Sequence, residues 1–121
     1  MLGDEELEAN TTVTISGWGE ISDGNLDDPN PYSEVLNYIS LSMMENIECE
    51  RIYGYQRVTS GVVCTSPGDP VKSPCFGDSG APVVVNVDSN PVHVAIFSFI
   101  NGYGCVYPYP AGKIRTAYYR D

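Results

Sequence analysis

Six short runs in this chain are β-branched or alternating in pattern, and Gly, Pro, Asn or Asp residues punctuate them. No other feature limits the fold as much. Thr11-Thr12-Val13-Thr14-Ile15-Ser16-Gly17-Trp18 predicts a first strand, followed by a surface loop from Gly19 to Pro31. Val35 to Met43 predicts a second, with Val35, Asn37, Ile39 and Leu41 on one face and Leu36, Tyr38, Ser40 and Ser42 on the other. Gly61 to Thr65 predicts a third and Pro82 to Val87 a buried fourth. After the turn Asp88-Ser89-Asn90-Pro91, Val92 to Ile100 returns as a fifth. Ile114 to Tyr119 predicts a last strand running into the start of a helix. Only Met44 to Tyr53 has clear helical spacing, with Met44, Ile47, Glu48, Arg51 and Ile52 in phase and Gly54 as the stop. This pattern predicts an all-β barrel or sandwich, and 121 residues predict one domain.

Charge is unevenly placed. Residues 1–50 hold twelve of the sixteen acidic residues and no Lys or Arg, within a net charge of -10. Such a surface repels phosphate backbones and anionic lipid, so neither nucleic acid nor membrane is an expected partner. Residues 1–10 read as an acidic, disordered lead-in, without the basic and apolar regions of a secretory signal peptide. The four cysteines, Cys49, Cys64, Cys75 and Cys105, predict two disulfides in one of three connectivities. No Cys-x-x-Cys pair is present, so no metal or other cofactor is implied. Asn10-Thr11-Thr12 is a candidate glycosylation sequence. Disulfides and sequon together predict an oxidising, extracellular setting.

The stretch with chemical content is Cys75-Phe76-Gly77-Asp78-Ser79-Gly80-Ala81-Pro82. Two glycines let the backbone turn tightly and direct N–H groups inward. Such a turn presents a serine hydroxyl beside free backbone donors, as acyl transfer requires.

Several segments, in order, resemble the second half of a chymotrypsin-like (trypsin-family) serine endopeptidase, most like its insect digestive members. They are Thr14-Ile15-Ser16-Gly17-Trp18-Gly19, Glu45 to Cys49 with Tyr53-Gly54, Gly61-Val62-Val63-Cys64, Cys75 to Pro82, Phe97-Ser98-Phe99 followed by Cys105, and Tyr109 to Gly112 with Arg115. The resemblance covers residues 11–120. It implies a six-stranded antiparallel Greek-key barrel with one short helix over residues 11–121, and the pairings Cys49–Cys64 and Cys75–Cys105. It implies proteolysis with Ser79 as nucleophile and the Gly77 and Ser79 N–H groups as oxyanion hole. Asp78 would be the acid that pairs with a newly exposed N-terminal amine. Ser73, Ser98, Ile100 and Ala111 would contact a peptide substrate.

The family's catalytic histidine and orienting aspartate belong to a first barrel, which nothing here resembles. An N-terminal barrel is therefore an expected partner, and the chain alone is expected to be inactive and prone to association. His93, the only histidine, lies between apolar neighbours and reads as a surface or packed residue. With no amine to meet, Asp78 is expected to point outward. Ala81, Ile100, Ala111 and Lys113 depart from the family's usual residues. A neutral Ser73 and a pocket narrowed at Ile100 imply chymotrypsin- or elastase-like preference. The alternative is a non-catalytic homologue serving as a binding or regulatory module.

Overall fold

The computed structural model describes residues 7–21, 29–68, 70–102, 104–105 and 107–119. Most of the acidic lead-in expected at 1–10 lies outside them, as does part of the expected Gly19–Pro31 loop. Six antiparallel strands close into a barrel: β1 (Thr12–Gly17), β2 (Asn37–Met44), β3 (Val62–Thr65), β4 (Pro82–Val87), β5 (Asn90–Phe99) and β6 (Ala111–Arg115). Their order around the barrel is β1-β2-β3-β6-β5-β4. Of the two architectures left open by the strand pattern, the chain adopts the closed one.

Rung counts around the barrel are unequal. β1 and β2 pair over six rungs, from Thr12↔Ser42 to Gly17↔Asn37. β2 meets β3 only at Met43↔Thr65 and Met44↔Cys64. β1 meets β4 only at Thr14↔Val84 and Ile15↔Val83. The barrel is thus a long hairpin joined by two short seams to a four-stranded sheet.

Alternation along each strand fills the interior. Val13, Ile15, Leu41, Met43, Val63, Val83, Ala95 and Phe97 are buried in one cluster, which Ile39, Val85 and Ile100 flank. Removing this much apolar surface from water is the main stabilising term, about 1.5–3 kcal/mol for each large side chain. The fourth strand was expected to be buried throughout. Only Val83 is fully so, because one side of a barrel strand faces outward.

Two elements differ from the sequence expectation. The last strand starts at Ala111 rather than Ile114, and it runs into a short helix, α2 (Thr116–Tyr119), as the tail pattern predicted, although the resemblance implied only one helix. Ala111 and Gly112 have little strand propensity, but a Cβ on Gly112 would collide with the Phe99 ring, so packing overrides propensity there. The first helix, α1 (Asn46–Tyr53), begins after Met44 because Met44 completes β2. Its Gly54 cap takes φ 88 and its N–H donates to the Glu50 carbonyl. Asn46 Nδ2 donates to the Val62 carbonyl at 2.7 Å, seating the helix on β3.

The disulfides are Cys49–Cys64 and Cys75–Cys105, with Cα separations of 6.4 and 5.4 Å. These are the pairings that the resemblance implied. Cys49–Cys64 ties α1 to β3 beside the short β2/β3 seam.

One buried residue is out of character. Lys113, on β6, is fully enclosed. Its Nζ donates to Thr65 Oγ1 and, at 2.8 Å, to the Ala111 carbonyl. Burial holds its pKa well below the ordinary 10.5. Between the lowered value and the ordinary one, the unfolded chain keeps a proton that the folded chain has shed. Stability therefore rises with pH across that window. Lys113→Met is expected to flatten the rise and to stabilise the protein at neutral pH by about 1 kcal/mol or more. Urea denaturation over a pH series measures both effects, and a Lys113→Met variant as pH-dependent as the parent would contradict the assignment.

Candidate active site

Two consecutive turns place Ser79. The Asp78 N–H donates to the Cys75 carbonyl at 3.0 Å and the Ala81 N–H to the Asp78 carbonyl at 2.8 Å. Gly77 and Gly80 are the third residues of these turns, at φ 91 and 90, which only glycine adopts without strain. A side chain at Gly77 would also strike the Tyr32 ring, 2.7 Å from the position of its Cβ. Ser79, between the two glycines, is exposed. Among the described residues, neither the Gly77 nor the Ser79 N–H donates to a protein acceptor.

The turns are docked to the barrel by β5. The Gly80 N–H donates to the Phe97 carbonyl at 3.0 Å, and the Phe97 N–H to the Ala81 carbonyl at 2.9 Å. The register of β5 on β6 passes from Phe97↔Lys113 to Phe99↔Gly112, skipping Ser98, which is exposed. Ile100 is half-buried against the core, and Ala111 is buried at the start of β6. Ser79, Ser98, Ile100 and Ala111 thus gather at one end of the barrel.

Asp78 turns inward rather than outward. Its Oδ1 accepts the Gly19 N–H at 2.8 Å and its Oδ2 the Cys75 N–H at 2.9 Å. The carboxylate lies so close to Gly17 and Gly19 that a Cβ on either would collide with it. The Gly-Trp-Gly segment is glycine on both sides of Trp18 for this reason. Two backbone donors make the inward position favourable, and the outward expectation had not counted them.

Asp78 borders a cavity of about 270 Å³, lined also by Gly17, Gly19, Glu20, Ser73 and Cys75. Ser73 Oγ donates to the Pro74 carbonyl at 2.8 Å. Glu20 Oε2 is buried and has no hydrogen-bond partner among the described residues. Sequence reasoning missed Glu20, because nothing in its local pattern distinguishes it from the other acids of the first half.

His93 is exposed on β5, with Nδ1 3.3 Å from Thr116 Oγ1. It lies four residues along β5 from Phe97, about 13 Å at the rise of an antiparallel strand. The structure does not bring it to Ser79. Asn10 is exposed at φ 73, and its N–H is tied to the Met43 carbonyl at 2.8 Å.

Around the serine turn the surface is apolar. Trp18, Tyr32, Leu36, Tyr38 and Phe76 are 45–73% exposed. The Ser33 N–H on the Trp18 carbonyl and the Glu20 N–H on the Phe76 carbonyl bring the backbones around Trp18, Tyr32 and Phe76 together.

The family described as Trypsin matches residues 2–121. A collagenase from Hypoderma lineatum is 34% identical over 112 residues, 93% of this chain and 39% of that protein. Brachyurin from Leptuca pugilator is 35% identical over 117 residues, 96% of this chain and 46% of that protein. The solved structure of HL collagenase superposes with a TM-score of 0.77 at 33% identity, covering 98% of this chain and 48% of that one. The chain therefore spans less than half the length of these relatives.

The seat of Asp78 can be probed directly. Gly19→Ala places a Cβ 2.5 Å from Asp78 Cγ and must displace the carboxylate. An expected loss of about 1–3 kcal/mol in urea denaturation follows. Asp78→Asn, which keeps one acceptor oxygen, should lose less, and a Gly19→Ala midpoint equal to that of the parent would show that the carboxylate sits elsewhere.

Proposed function

The chain belongs to the trypsin family of serine proteases, and we propose that it forms the half of a serine endopeptidase that carries the nucleophile. The observation that carries this reading is the exposed Ser79 held between two glycine turns, beside Gly77 and Ser79 N–H groups that have no protein acceptor among the described residues. Ser79 Oγ attacks the scissile carbonyl of a peptide, and the two N–H groups receive the developing oxyanion. The proton passes to a histidine outside this chain, which returns it to the leaving amine. Water then hydrolyses the acyl-enzyme and frees Ser79.

Other residues have supporting roles in this reading. Ser98, skipped by the β5–β6 register, offers its backbone to an extended substrate. The neutral Ser73 supports cleavage after residues other than Lys and Arg. The half-buried Ile100 and buried Ala111 fit the narrowed, elastase-like or chymotrypsin-like pocket expected from the sequence. Asp78 is poised to exchange its backbone donors for an amine entering the adjoining cavity, and the unanswered Glu20 oxygen favours a cationic occupant there. The exposed apolar side chains from Trp18 to Phe76 support packing against a first barrel. Two disulfides and an exposed Asn10 sequon support an extracellular location.

The position of His93 favours a second reading, in which the chain is a non-catalytic binding or regulatory module. A fluorophosphonate probe separates the two. The chain alone should hydrolyse no peptide ester. Mixed with the first barrel of a relative such as brachyurin, it should label stoichiometrically at Ser79, and Ser79→Ala should abolish labelling. Turnover by the chain alone would refute its dependence on a partner. Absence of labelling in the mixture would favour the non-catalytic module.

A further inference from the structure

Asn10-Thr11-Thr12 is the chain's single acceptor sequence for an Asn-linked sugar, since no other asparagine stands two residues before a Ser or Thr. The fold fastens this tripeptide at the start of β1. The Thr11 N–H donates to the Glu8 carbonyl at 3.1 Å, closing a turn with Asn10 as its third residue. Asn10 takes φ 73, a left-handed value that asparagine tolerates and most side chains do not. Its N–H donates to the Met43 carbonyl at 2.8 Å, the Met43 N–H donates to the Thr11 carbonyl at 2.8 Å, and Leu7 packs on the core. The backbone is therefore held while the side chain is not. Asn10 is exposed, and its side-chain amide has no hydrogen-bond partner among the described residues. Thr12, two residues on, is exposed as well.

The surface beside this amide is uncharged. Val13, Ile15 and Leu41 turn into the barrel, so Thr12, Thr14 and Ser16 on β1 and Ser40 and Ser42 on β2 face outward. Thr12 is level with Ser42, and Thr14 with Ser40, their hydroxyl oxygens 3.5 Å apart in the second pair. Residues 9–19 and 35–44 contain no Asp, Glu, Lys or Arg, although the first fifty residues contain twelve acids. A face of hydroxyls offers hydrogen bonds to a bulky, polar, neutral group and sets no charge against it.

We propose that Asn10 is a glycosylation site, carrying an Asn-linked oligosaccharide beside the outer face of the β1–β2 hairpin. The donor is a lipid-diphosphate-linked oligosaccharide. Asn10 Nδ2 forms the bond to the anomeric carbon of the first sugar as the bond from that carbon to the diphosphate breaks. The lipid diphosphate leaves, and one amide proton passes to a base of the transferase. The Thr12 hydroxyl completes the acceptor sequence. The proposal rests on the extracellular location proposed above and on no catalytic assignment. Because Thr14 pairs with Val84, the start of β1 lies toward the Asp88-Ser89 turn and away from the serine turn. Thr12 is five residues along β1 from Gly17, about 17 Å at the rise of an antiparallel strand, and Gly17 abuts the Asp78 carboxylate. A sugar at Asn10 therefore leaves Ser79 and the apolar surface around Trp18 uncovered, and it keeps the hairpin's outer face in solvent when a first barrel docks.

The full chain, expressed behind a secretory leader in insect cells, tests this whether or not it catalyses anything. Retained and secreted protein are both weighed by mass spectrometry. One oligosaccharide per chain is expected, and peptide N-glycosidase should remove its whole mass from the folded protein without denaturant, leaving a carboxylate at position 10. Thr12→Ala keeps Asn10 and its turn, and Asn10→Asp keeps a residue suited to φ 73, yet both should lose the sugar. Thr12→Ser should retain it. An unmodified parent chain, a sugar that survives Thr12→Ala or Asn10→Asp, or one that the glycosidase reaches only after unfolding would each overturn the proposal. Fluorophosphonate labelling of Ser79 reports separately on the nucleophile, so the two assignments fail independently.

Discussion

The seam between β1 and β4 depends on a carboxylate. Those strands share only two rungs, and Asp78, just ahead of β4, extends the junction by accepting the Gly19 N–H just beyond β1. The Glu20 N–H on the Phe76 carbonyl adds a second tie in the same direction. Closure at this edge and the shape of the serine turn are thus set together, because the same Asp78 also anchors both turns through its backbone. A charged acceptor of backbone N–H groups is worth more than a neutral one, so a single side chain can hold a short seam.

Much of this was legible from residues. The alternation of Thr12 to Gly17 and of Asn37 to Met44 gives two strands whose period leaves no other choice once one side must be buried. Gly54 ends the helix for a local, readable reason. The glycines of Cys75 to Ala81 point to a turn, and the structure builds two. What was hidden is long-range. Nothing near Gly112 says that a phenylalanine ring will lie on it, so β6 began earlier than its propensities imply. The inward seat of Asp78 depends on Gly17 and Gly19, some sixty residues away. Lys113 looked like an unusual substitution in a familiar segment, and its burial is a property of three strands at once.

Location within the barrel organises the chemistry. The end that receives the serine turn also receives the close of β5, the start of β6 and the end of β3. Each contributes one kind of feature: Ser79 an exposed hydroxyl, Ser98 a residue skipped by the ladder, Ala111 a buried start to β6, and Thr65 an acceptor for the Lys113 amine. The opposite end carries the Asp88-Ser89 turn of the β4–β5 hairpin, at φ 51 and 67. Segregation of this kind lets loops at one end vary while the buried valines between strands stay fixed by packing.

The two short seams are closed by different means, and this gives the molecule two clasps. Cys49–Cys64 secures the β2/β3 edge with a covalent bond, whereas Asp78 secures the β1/β4 edge with charge-assisted hydrogen bonds. The first is a covalent bond, whereas the second is a carboxylate accepting two backbone N–H groups, one of them from Cys75 of the Cys75–Cys105 disulfide. The barrel therefore has one edge held by a covalent bond and another held by a charge, and Ser79 hangs from the second.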